Sequence, residues 1–295
     1  MRVAVTGGNG FLGKYLVEQL QEMGHQVKIL SRNSSNNSVK TDYSLESLSE
    51  VLKNQDAVVH LAAKRGAQGK KIEFQDNEVL TQNLYDAAHS NGIKNIVYSS
   101  TISVYSGEND LPWSELTLPQ PGLMYGISKL TCEMIGNLYN QKYGMAIKNM
   151  RLAHLYGPGE KNNYMINLFF RQAYNKQELK LNTQSTAKRE FLYVKDAARA
   201  IIKALENENL AGTFNIGSGD ALTNQEVAEK INTIFCNQNK LDIINPNGED
   251  NSVSSYMDNS MSERKLDFKA VYSFEEALNE IFSELKEQSN VPIYY

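Results

Sequence analysis

Short apolar runs alternate with stretches of helical periodicity in the first half of the chain. Five runs predict buried strands, at residues 3–5, 27–30, 57–61, 96–98 and 146–152. Apolar positions that recur every three or four residues predict helices over 11–23, 77–91 and 128–143, the last of which ends at Gly144. Strands that read as continuous apolar runs and alternate with helices predict the α/β class, with a doubly wound parallel sheet covered on both faces.

The pattern loosens after about Gly157. A loop and a helix are predicted over 157–175, a short strand and a helix over 191–207, and a strand, a turn and a capped helix over 213–235. Residues 245–255 are polar and predict a loop. The second half of the chain is therefore expected to form a smaller region that is interleaved with the first.

Four glycines join the first predicted strand to its helix, in the segment TGGNGFLG that begins at Thr6. Gly7 suits a tight turn, Gly10 lets the backbone approach a pyrophosphate, and the helix that starts at Phe11 and Leu12 presents free N–H groups to the phosphates. This strand–glycine–helix context predicts a Rossmann-type dinucleotide site. We expect residues 1–155 to form the dinucleotide-binding domain, with 188–216 returning to it, and 156–295 to form mainly the substrate-binding region.

The end of the second predicted strand bears on the choice of dinucleotide. A carboxylate there would bind the ribose 2′-hydroxyl of NAD, but the chain has Arg32 and no acid in the sequence LSRN. A guanidinium suits an adenosine 2′-phosphate, so NADP(H) is favoured and NAD(H) is the alternative. The competing interpretation of Arg32 is a solvated surface arginine.

Three side chains are candidates for catalysis. Tyr125 and Lys129 are four residues apart at the start of a predicted helix and so share one face. The ammonium of Lys129 is expected to lower the pKa of Tyr125 from about 10 by stabilising the phenolate. Tyr125 could then exchange a proton with a sugar oxygen that Thr101 holds, although Tyr-x-x-x-Lys by itself also fits a surface pair.

These motifs resemble those of the extended short-chain dehydrogenase/reductases, the nucleotide-sugar epimerase/dehydratase family, over nearly the whole chain. The matching segments are TGGNGFLG, DAVVHLAA, YSSTISVY, YGISK, RLAHLYGPG, KREFLYVKDAARA and FNIGSGDALTNQEVA. The resemblance implies a catalytic role for Thr101, Tyr125 and Lys129. It also implies a nucleotide-sugar substrate of the kind used for cell-surface polysaccharide.

The resemblance implies further contacts residue by residue. It assigns adenine contacts to Asp42 and Tyr43, cofactor contacts to Leu61, Ala62 and Ala63, and substrate contacts to Arg189 and to His154, which stands where the family usually has asparagine. A packed core histidine is the alternative interpretation of His154. The resemblance also implies a homodimer that pairs helices near 79–88 and 130–139 in a four-helix bundle.

Two functions are weighed for the site. The first is reduction of a dTDP-, UDP- or GDP-4-keto-6-deoxyhexose by NADPH, favoured by Arg32 and by the short chain. The second is 4-epimerisation of a UDP-sugar with retained NAD. A dehydratase is disfavoured because Ile102 and Ser103 replace the Asp-Glu pair that supplies acid and base. A non-catalytic dinucleotide sensor is disfavoured because Tyr125 and Lys129 are both present.

Composition narrows the partners and the compartment. The formal net charge is −4 and the basic residues are dispersed, so neither nucleic acid nor an anionic membrane is an expected partner. No basic segment precedes an apolar one, and no apolar run reaches the roughly 20 residues that a membrane span needs. Cys132 and Cys236 lack metal-ligand spacing, so we expect no metal and reduced thiols in the cytoplasm.

Overall fold

Strands and helices alternate as the apolar pattern predicts. The structure, a computed structural model, describes residues 1–33, 37–65, 69–107 and 110–295. The strands are β1 (Arg2–Thr6), β2 (Gln26–Ser31), β3 (Val39–Lys40), β4 (Ala57–His60), β5 (Asn95–Thr101), β6 (Ala146–Leu152), β7 (His154–Tyr156), β8 (Leu179–Thr183), β9 (Lys188–Tyr193), β10 (Gly212–Ile216), β11 (Ala221–Thr223) and β12 (Leu241–Asn245). The helices are α1 (Phe11–Glu22), α2 (Leu45–Val51), α3 (Gln75–Ser90), α4 (Met124–Tyr143), α5 (Met165–Tyr174), α6 (Val194–Glu206), α7 (Asn224–Ile234), α8 (Ser260–Leu266) and α9 (Phe274–Lys286).

Seven parallel strands form the central sheet in the order β10-β6-β5-β4-β1-β2-β3. The strand order reverses between β1 and β4, which is the position at which open α/β sheets bind ligands beyond the carboxyl ends of their strands. This sheet confirms the predicted α/β class and the doubly wound, Rossmann-type architecture.

The two faces of the sheet bury separate cores. Val3 and Val5 of β1 point into a core shared with α1 and α6, while Ala4 between them points into a core shared with α2, α3 and α4. Because successive side chains of a strand alternate between its faces, a strand that is buried on both faces must be apolar throughout. This explains why β1 reads as an unbroken apolar run.

Helix α4 carries two of the candidate catalytic residues and begins earlier than predicted. It starts at Met124 rather than at residue 128, which places Tyr125 in the first turn, one turn before Lys129. The helix ends as predicted, at Gly144, whose left-handed φ of +59° suits glycine. Helix α3 likewise ends at the predicted position, with Asn91 at its C-cap.

The second half of the chain divides between the central sheet and smaller ones. Strand β10 joins the edge of the central sheet beside β6, whereas β9 lies in a three-stranded sheet with β7 and β11. A two-stranded sheet of β8 and β12 packs with α5 and α7, and α7 packs against α9. The predicted cap of α7 is a capping box between Thr223 and Glu226.

Candidate active site

One large cavity lies along the carboxyl ends of the central strands. Its volume is about 1370 Å³. Every site residue predicted from the sequence lines it. They are Gly7, Gly10, Phe11, Leu12, Arg32, Asp42, Tyr43, Leu61, Ala62, Ala63, Thr101, Tyr125, Lys129, His154 and Arg189. Residues that are up to 182 positions apart in sequence thus border one space that is large enough for two ligands side by side.

The glycine turn shapes one wall of the cavity. Gly7 has a φ of +72°, and a Cβ at this position would lie 2.8 Å from the backbone nitrogen of Ala62. A Cβ on Gly13 would lie 2.2 Å from the carbonyl oxygen of Gly7. Glycine is therefore required at both positions, since any side chain would push the turn away from α1 or from the loop after β4.

The N-terminus of α1 faces the cavity without a capping side chain. Its N-cap is Gly10, no side chain accepts from its first N–H groups, and no acidic residue lies in its first turn. Free N–H groups and the positive end of the helix dipole suit an anion, above all a phosphate. The residues present therefore fit the pyrophosphate of a dinucleotide.

The residues after β2 and β3 form another part of the cavity wall. The hydroxyl of Tyr43 donates a 3.0 Å hydrogen bond to the carbonyl oxygen of Leu30, which fixes its ring against the end of β2. Asp42 is exposed, and the backbone N–H of Ser44 donates to it, which lowers the pKa of its carboxyl. The exposed guanidinium of Arg32 is close enough for its charge to act on the phenol of Tyr43.

Lys129 is buried between the sheet and the cavity. Its ammonium donates a 2.7 Å hydrogen bond to the carbonyl oxygen of Ser99 and lies 4.9 Å from the ring centre of Tyr98 and 5.9 Å from that of Tyr125. Burial lowers the pKa of Lys129 to about 8. The predicted neighbourhood of Lys129 and Tyr125 is thus present in the structure.

The predicted electrostatic effect on Tyr125 is wrong for the structure as it stands. Burial raises the pKa of Tyr125 above its usual value instead of Lys129 lowering it, and the cation that opposes this rise is Arg65. Removing a phenol from water penalises its charged form, and this penalty is set by packing rather than by sequence spacing. Any phenolate at Tyr125 must therefore be stabilised by additional positive charge.

Thr101 ends β5 and caps the short 3₁₀ turn Ile102–Val104. Its Oγ1 accepts the backbone N–H of Ser103 at 3.2 Å and donates to the Oγ of Ser103 at the same distance. Ser99, Ser100 and Ser103 also line the cavity, and Ser103 is hydrogen-bonded to Thr101, so a second hydroxyl lies beside the one predicted.

A buried ion pair supports the end of β5 from behind. Arg151 binds both carboxylate oxygens of Glu133, with its Nε 3.0 Å and its Nη2 2.7 Å away, and both side chains are almost fully buried. Ser100, next to Thr101, donates to the same carboxylate. Arg151 also donates to the hydroxyl of Tyr105 at 2.6 Å. This network connects α4 and β6 to the strand that carries Thr101.

A second buried network holds the loop that follows β4. The N–H of Ala62 donates to the hydroxyl of Thr6, which lies 2.8 Å from the Nδ1 of His60, and the Nε2 of His60 lies 3.1 Å from the hydroxyl of Thr81. Because that threonine donates to the carbonyl oxygen of Asn77, a neutral imidazole with its proton on Nε2 satisfies the whole chain. Burial together with the charge of Lys129 lowers the pKa of His60 to about 3.

Asn77 holds the same loop two residues further on, at Lys64. Its side-chain oxygen accepts the N–H of Lys64 at 2.7 Å, and its side-chain nitrogen donates to the carbonyl oxygen of Lys64 at 3.1 Å. Neither His60 nor Asn77 was predicted to support the site. The hydrophobic pattern of an apolar strand or an amphipathic helix does not indicate such residues, because a single buried polar position does not interrupt the hydrophobic periodicity.

His154 and Arg189 lie together in another part of the cavity. The Nε2 of His154 lies 3.0 Å from the hydroxyl of Ser255, and its ring lies 6.0 Å from the ring of Phe191. Burial and the neighbouring Arg189 lower the pKa of His154 to about 4, so the ring is neutral. His154 is both packed and in contact with the cavity, so the two interpretations of this residue are compatible.

Four further charged residues that the sequence did not single out line the cavity, namely Lys64, Arg65, Asp76 and Glu160. Arg65 lies in the loop after β4, Glu160 follows β7, and the side chains of these two residues form an ion pair with Nη2 3.1 Å from Oε2. They are 95 positions apart, so no local pattern could connect them.

The described residues contain neither a metal-binding cluster nor a membrane-spanning helix. No cluster of three or more His, Cys, Asp or Glu in the described ranges has the geometry to hold a metal ion. Among the helices of the same ranges, none combines the length and the apolar character that crossing a bilayer demands.

Comparison with known proteins connects this geometry to nucleotide-sugar enzymes. Residues 3–217 match the model of the NAD dependent epimerase/dehydratase family. The crystal structure of UDP-N-acetylglucosamine 4-epimerase from Bacillus cereus superposes with a TM-score of 0.95 at 54% identity, with 100% of both chains covered. The UDP-glucose 4-epimerase of Corynebacterium glutamicum is 31% identical over 261 residues, 78% of this chain and 79% of that relative. MoeE5 in complex with UDP-glucose and NAD is 26% identical, with a TM-score of 0.84 over 97% of this chain and 99% of that one.

Proposed function

Because the chain belongs to the NAD-dependent epimerase/dehydratase family, we propose that it is a UDP-sugar 4-epimerase acting on UDP-N-acetylglucosamine or UDP-glucose with a retained NAD. The observation that carries the proposal is the similarity, over the full length of both chains, to the Bacillus cereus UDP-N-acetylglucosamine 4-epimerase. The comparisons back this alternative better than the ketoreductase that the sequence favours.

The chain offers sites for both parts of a dinucleotide. The uncapped start of α1 and the turn at Gly7 suit the pyrophosphate, and the wall near Tyr43 suits the adenine. We assign the cofactor as NAD(H) because epimerisation returns the cofactor unchanged and because the relative MoeE5 binds NAD. Arg32, by contrast, favours NADP(H), so the identity of the dinucleotide that the protein releases on denaturation tests the assignment.

The proposed chemistry assigns a role to each catalytic side chain. Bound NAD supplies a hydride acceptor and donor together with a positive charge on its nicotinamide ring. Tyr125 takes the proton from the C4 hydroxyl of the sugar and later returns it, and Thr101 holds the same oxygen. The raised pKa of Tyr125 favours the protonated form, so positive charge from Arg65 and Lys129 is needed to make the phenolate accessible.

The substrate nucleotide is proposed to occupy the second part of the cavity. Arg189 is suited to the diphosphate because it is a cation that lines the cavity beside the neutral His154. In this arrangement residues 1–155 and 188–216 serve mainly the dinucleotide and 156–295 mainly the substrate. Such an enzyme would supply precursors for cell-surface polysaccharide in the cytoplasm.

A homodimer is proposed through α3 and α4, which pack against each other. Val79 on α3 and Met134 and Leu138 on α4 are 60%, 64% and 55% exposed. Large apolar side chains in this number on two adjacent helices suit an interface with the same helices of a second copy, which would form a four-helix bundle.

The test is conversion of UDP-N-acetylglucosamine and UDP-glucose to their C4 epimers by purified protein with no NADPH added. We expect each pair to reach equilibrium, and we expect Tyr125→Phe to lower kcat by about 10²–10⁴-fold. Tyr143→Phe, on the same helix, is the matched control and should keep the wild-type rate. Dinucleotide released by denaturation should be NAD. Activity that depends on added NADPH and a 4-keto sugar would instead support the ketoreductase.

A further inference from the structure

The cations that line the cavity differ in whether a carboxylate neutralises them. Within the ranges that the structure describes, Arg32 and Arg189 form no ion pair, so each is available to an anionic group of a ligand. Lys64 and Arg65, by contrast, are paired with Asp76 and Glu160. Unpaired positive charge thus lies at Arg189, where the substrate diphosphate is proposed to bind, and the positive charge on the loop after β4 is partly offset by carboxylates.

The Arg65–Glu160 pair bridges two walls of the cavity. The side chain of Glu160 is only 8% exposed, while that of Arg65 is 52% exposed, and the interatomic distance is 3.1 Å. A guanidinium carries five N–H donors, and among the described residues Glu160 accepts from one nitrogen of Arg65, so this pair does not use all of the donors.

Glu160 is held in place by the chain behind it. The buried Arg171 donates to the backbone oxygen of Glu160 at 3.0 Å and to that of Asn162 at 2.8 Å. Its guanidinium also lies 5.0 Å from the ring centre of Tyr295. These contacts hold the backbone of the segment after β7, and the Glu160 side chain is almost fully buried, so its carboxylate places negative charge beside the cavity.

The pair also lies beside the proposed catalytic residues. Arg65, Tyr125 and Lys129 line the same cavity, and the charge of Arg65 acts on both of the other side chains. A sugar whose C4 oxygen reaches Tyr125 therefore has the Arg65–Glu160 pair within its surroundings.

On the basis of the proposed epimerase function, we infer that the Arg65–Glu160 pair selects nucleotide sugars with an uncharged hexose or N-acetylhexosamine and rejects hexuronates. A hydroxyl or an acetamido group can accept from N–H groups of Arg65 that the pair with Glu160 does not use. A sugar carboxylate gains less attraction from a guanidinium that is already paired with Glu160, and it meets the carboxylate of Glu160. Like charges brought together in a partly desolvated site disfavour binding strongly.

The experiment measures the dissociation constants of UDP-N-acetylglucosamine and UDP-glucuronate for the NAD-loaded protein by titration calorimetry. We expect wild type to bind the glucuronate at least about tenfold more weakly, which corresponds to about 1.4 kcal/mol. Glu160→Gln should lower the ratio of the glucuronate dissociation constant to the N-acetylglucosamine one, because it frees the charge of Arg65 for the ligand carboxylate. Arg65→Gln should raise the same ratio, because the substitution leaves the negative charge of Glu160 without its cationic partner.

The two variants are expected to change the ratio of the dissociation constants in opposite directions, which separates recognition of the sugar from a merely structural role. A structural defect would shift both dissociation constants in parallel. Glu280→Gln breaks an ion pair with Lys195 that does not line the cavity, and it should leave the ratio unchanged. Equal binding of both sugars by wild type, or parallel shifts in the two variants, would overturn the inference. Tight binding of the UDP-sugars without conversion at C4 would refute the epimerase function. The ratio of the two dissociation constants would still test the role of the Arg65–Glu160 pair.

Discussion

Among the described residues, the Lys129 ammonium donates its hydrogen bond to the carbonyl oxygen of Ser99, at 2.7 Å. Ser99 lies in β5, two residues before Thr101, so this contact ties α4 to the strand end that carries the proposed oxygen-holding hydroxyl. The ring centre of Tyr125 lies 5.9 Å from the same nitrogen. Lys129 is therefore anchored by the sheet, and its charge reaches Tyr125 through space.

Lys129→Met should lower kcat by about 10²-fold or more, because it removes positive charge that favours the phenolate of Tyr125. The dissociation constant of the UDP-sugar should change little, since Arg189 rather than Lys129 is proposed to hold its diphosphate. Steady-state kinetics combined with calorimetry separate the two quantities. Lys142→Met, near the end of the same helix, is the control and should keep the wild-type kcat. A variant that loses affinity but keeps kcat would contradict the assignment.

His60 should make the protein sensitive to acid. Its pKa is about 3 in the fold, whereas an ordinary histidine has a pKa near 6.5. The unfolded chain therefore binds a proton as the pH falls below about 6.5 while the folded chain does not, so stability is lost on acidification and is fully present above that pH. The loss between pH 7 and pH 5 should be about 2 kcal/mol from this residue.

Urea unfolding at pH 7 and pH 5 measures this loss. His60→Gln should be less stable at pH 7 because it disturbs the contacts to Thr6 and Thr81, but it should lose less stability on acidification than wild type. His89→Gln changes an exposed histidine and serves as the control that keeps the wild-type pH dependence. An identical acid loss in wild type and His60→Gln would assign the sensitivity to other groups.

Much of the fold could be predicted because its signals are local. Strand β1, the glycine turn and α1 occupy 21 consecutive residues, and each part requires the next: an apolar strand, a turn at Gly7 that a Cβ would block, and a helix with one apolar face. The strands β3, β7, β8, β11 and β12 and the helices α2, α8 and α9 were not anticipated. Short strands depend on tertiary packing more than on periodicity, whereas α9 has a capping box between Ser273 and Glu276 that marks its start in the sequence.

The residues of the candidate site could be predicted where they belong to a sequence motif. Properties that depend on packing could not be predicted. Tyr125 and Lys129 share a helix face by spacing alone, and the structure brings both to the cavity. The raised pKa of Tyr125 follows from burial, which a sequence does not contain. Arg65 and Glu160 come from loops that only the folded sheet brings together.

Arg151→Met should destabilise the protein strongly. It would leave the carboxylate of Glu133 buried without its cation, which typically costs about 3–5 kcal/mol. Lys53→Met removes one partner of the exposed pair with Glu50 and should cost less than about 1 kcal/mol. Denaturant unfolding of the two variants measures the contrast. Equal losses would mean that the Arg151 network does not support β5 as its hydrogen bonds indicate.

Gly13→Ala should weaken dinucleotide binding by more than about tenfold, a change equivalent to 1.4 kcal/mol. The added Cβ would lie 2.2 Å from the carbonyl oxygen of Gly7, so the turn that faces the pyrophosphate has to move. Gly122→Ala adds a Cβ with no atom within 4 Å and is the control. Thermal shift on addition of NAD measures both. Retained NAD binding in Gly13→Ala would show that the turn does not contact the cofactor.

The double change of Met134 and Leu138 to glutamate should convert the proposed dimer into a monomer. These side chains are four residues apart on α4, so they lie on one face of the helix, and two charges there would have to be desolvated in the bundle. Sedimentation velocity measures the mass. Val271→Glu, at an exposed apolar position outside α3 and α4, is the matched control and should remain dimeric. A wild-type protein that sediments as a monomer would refute the four-helix bundle. A dimer that survives both changes would locate the interface on another surface.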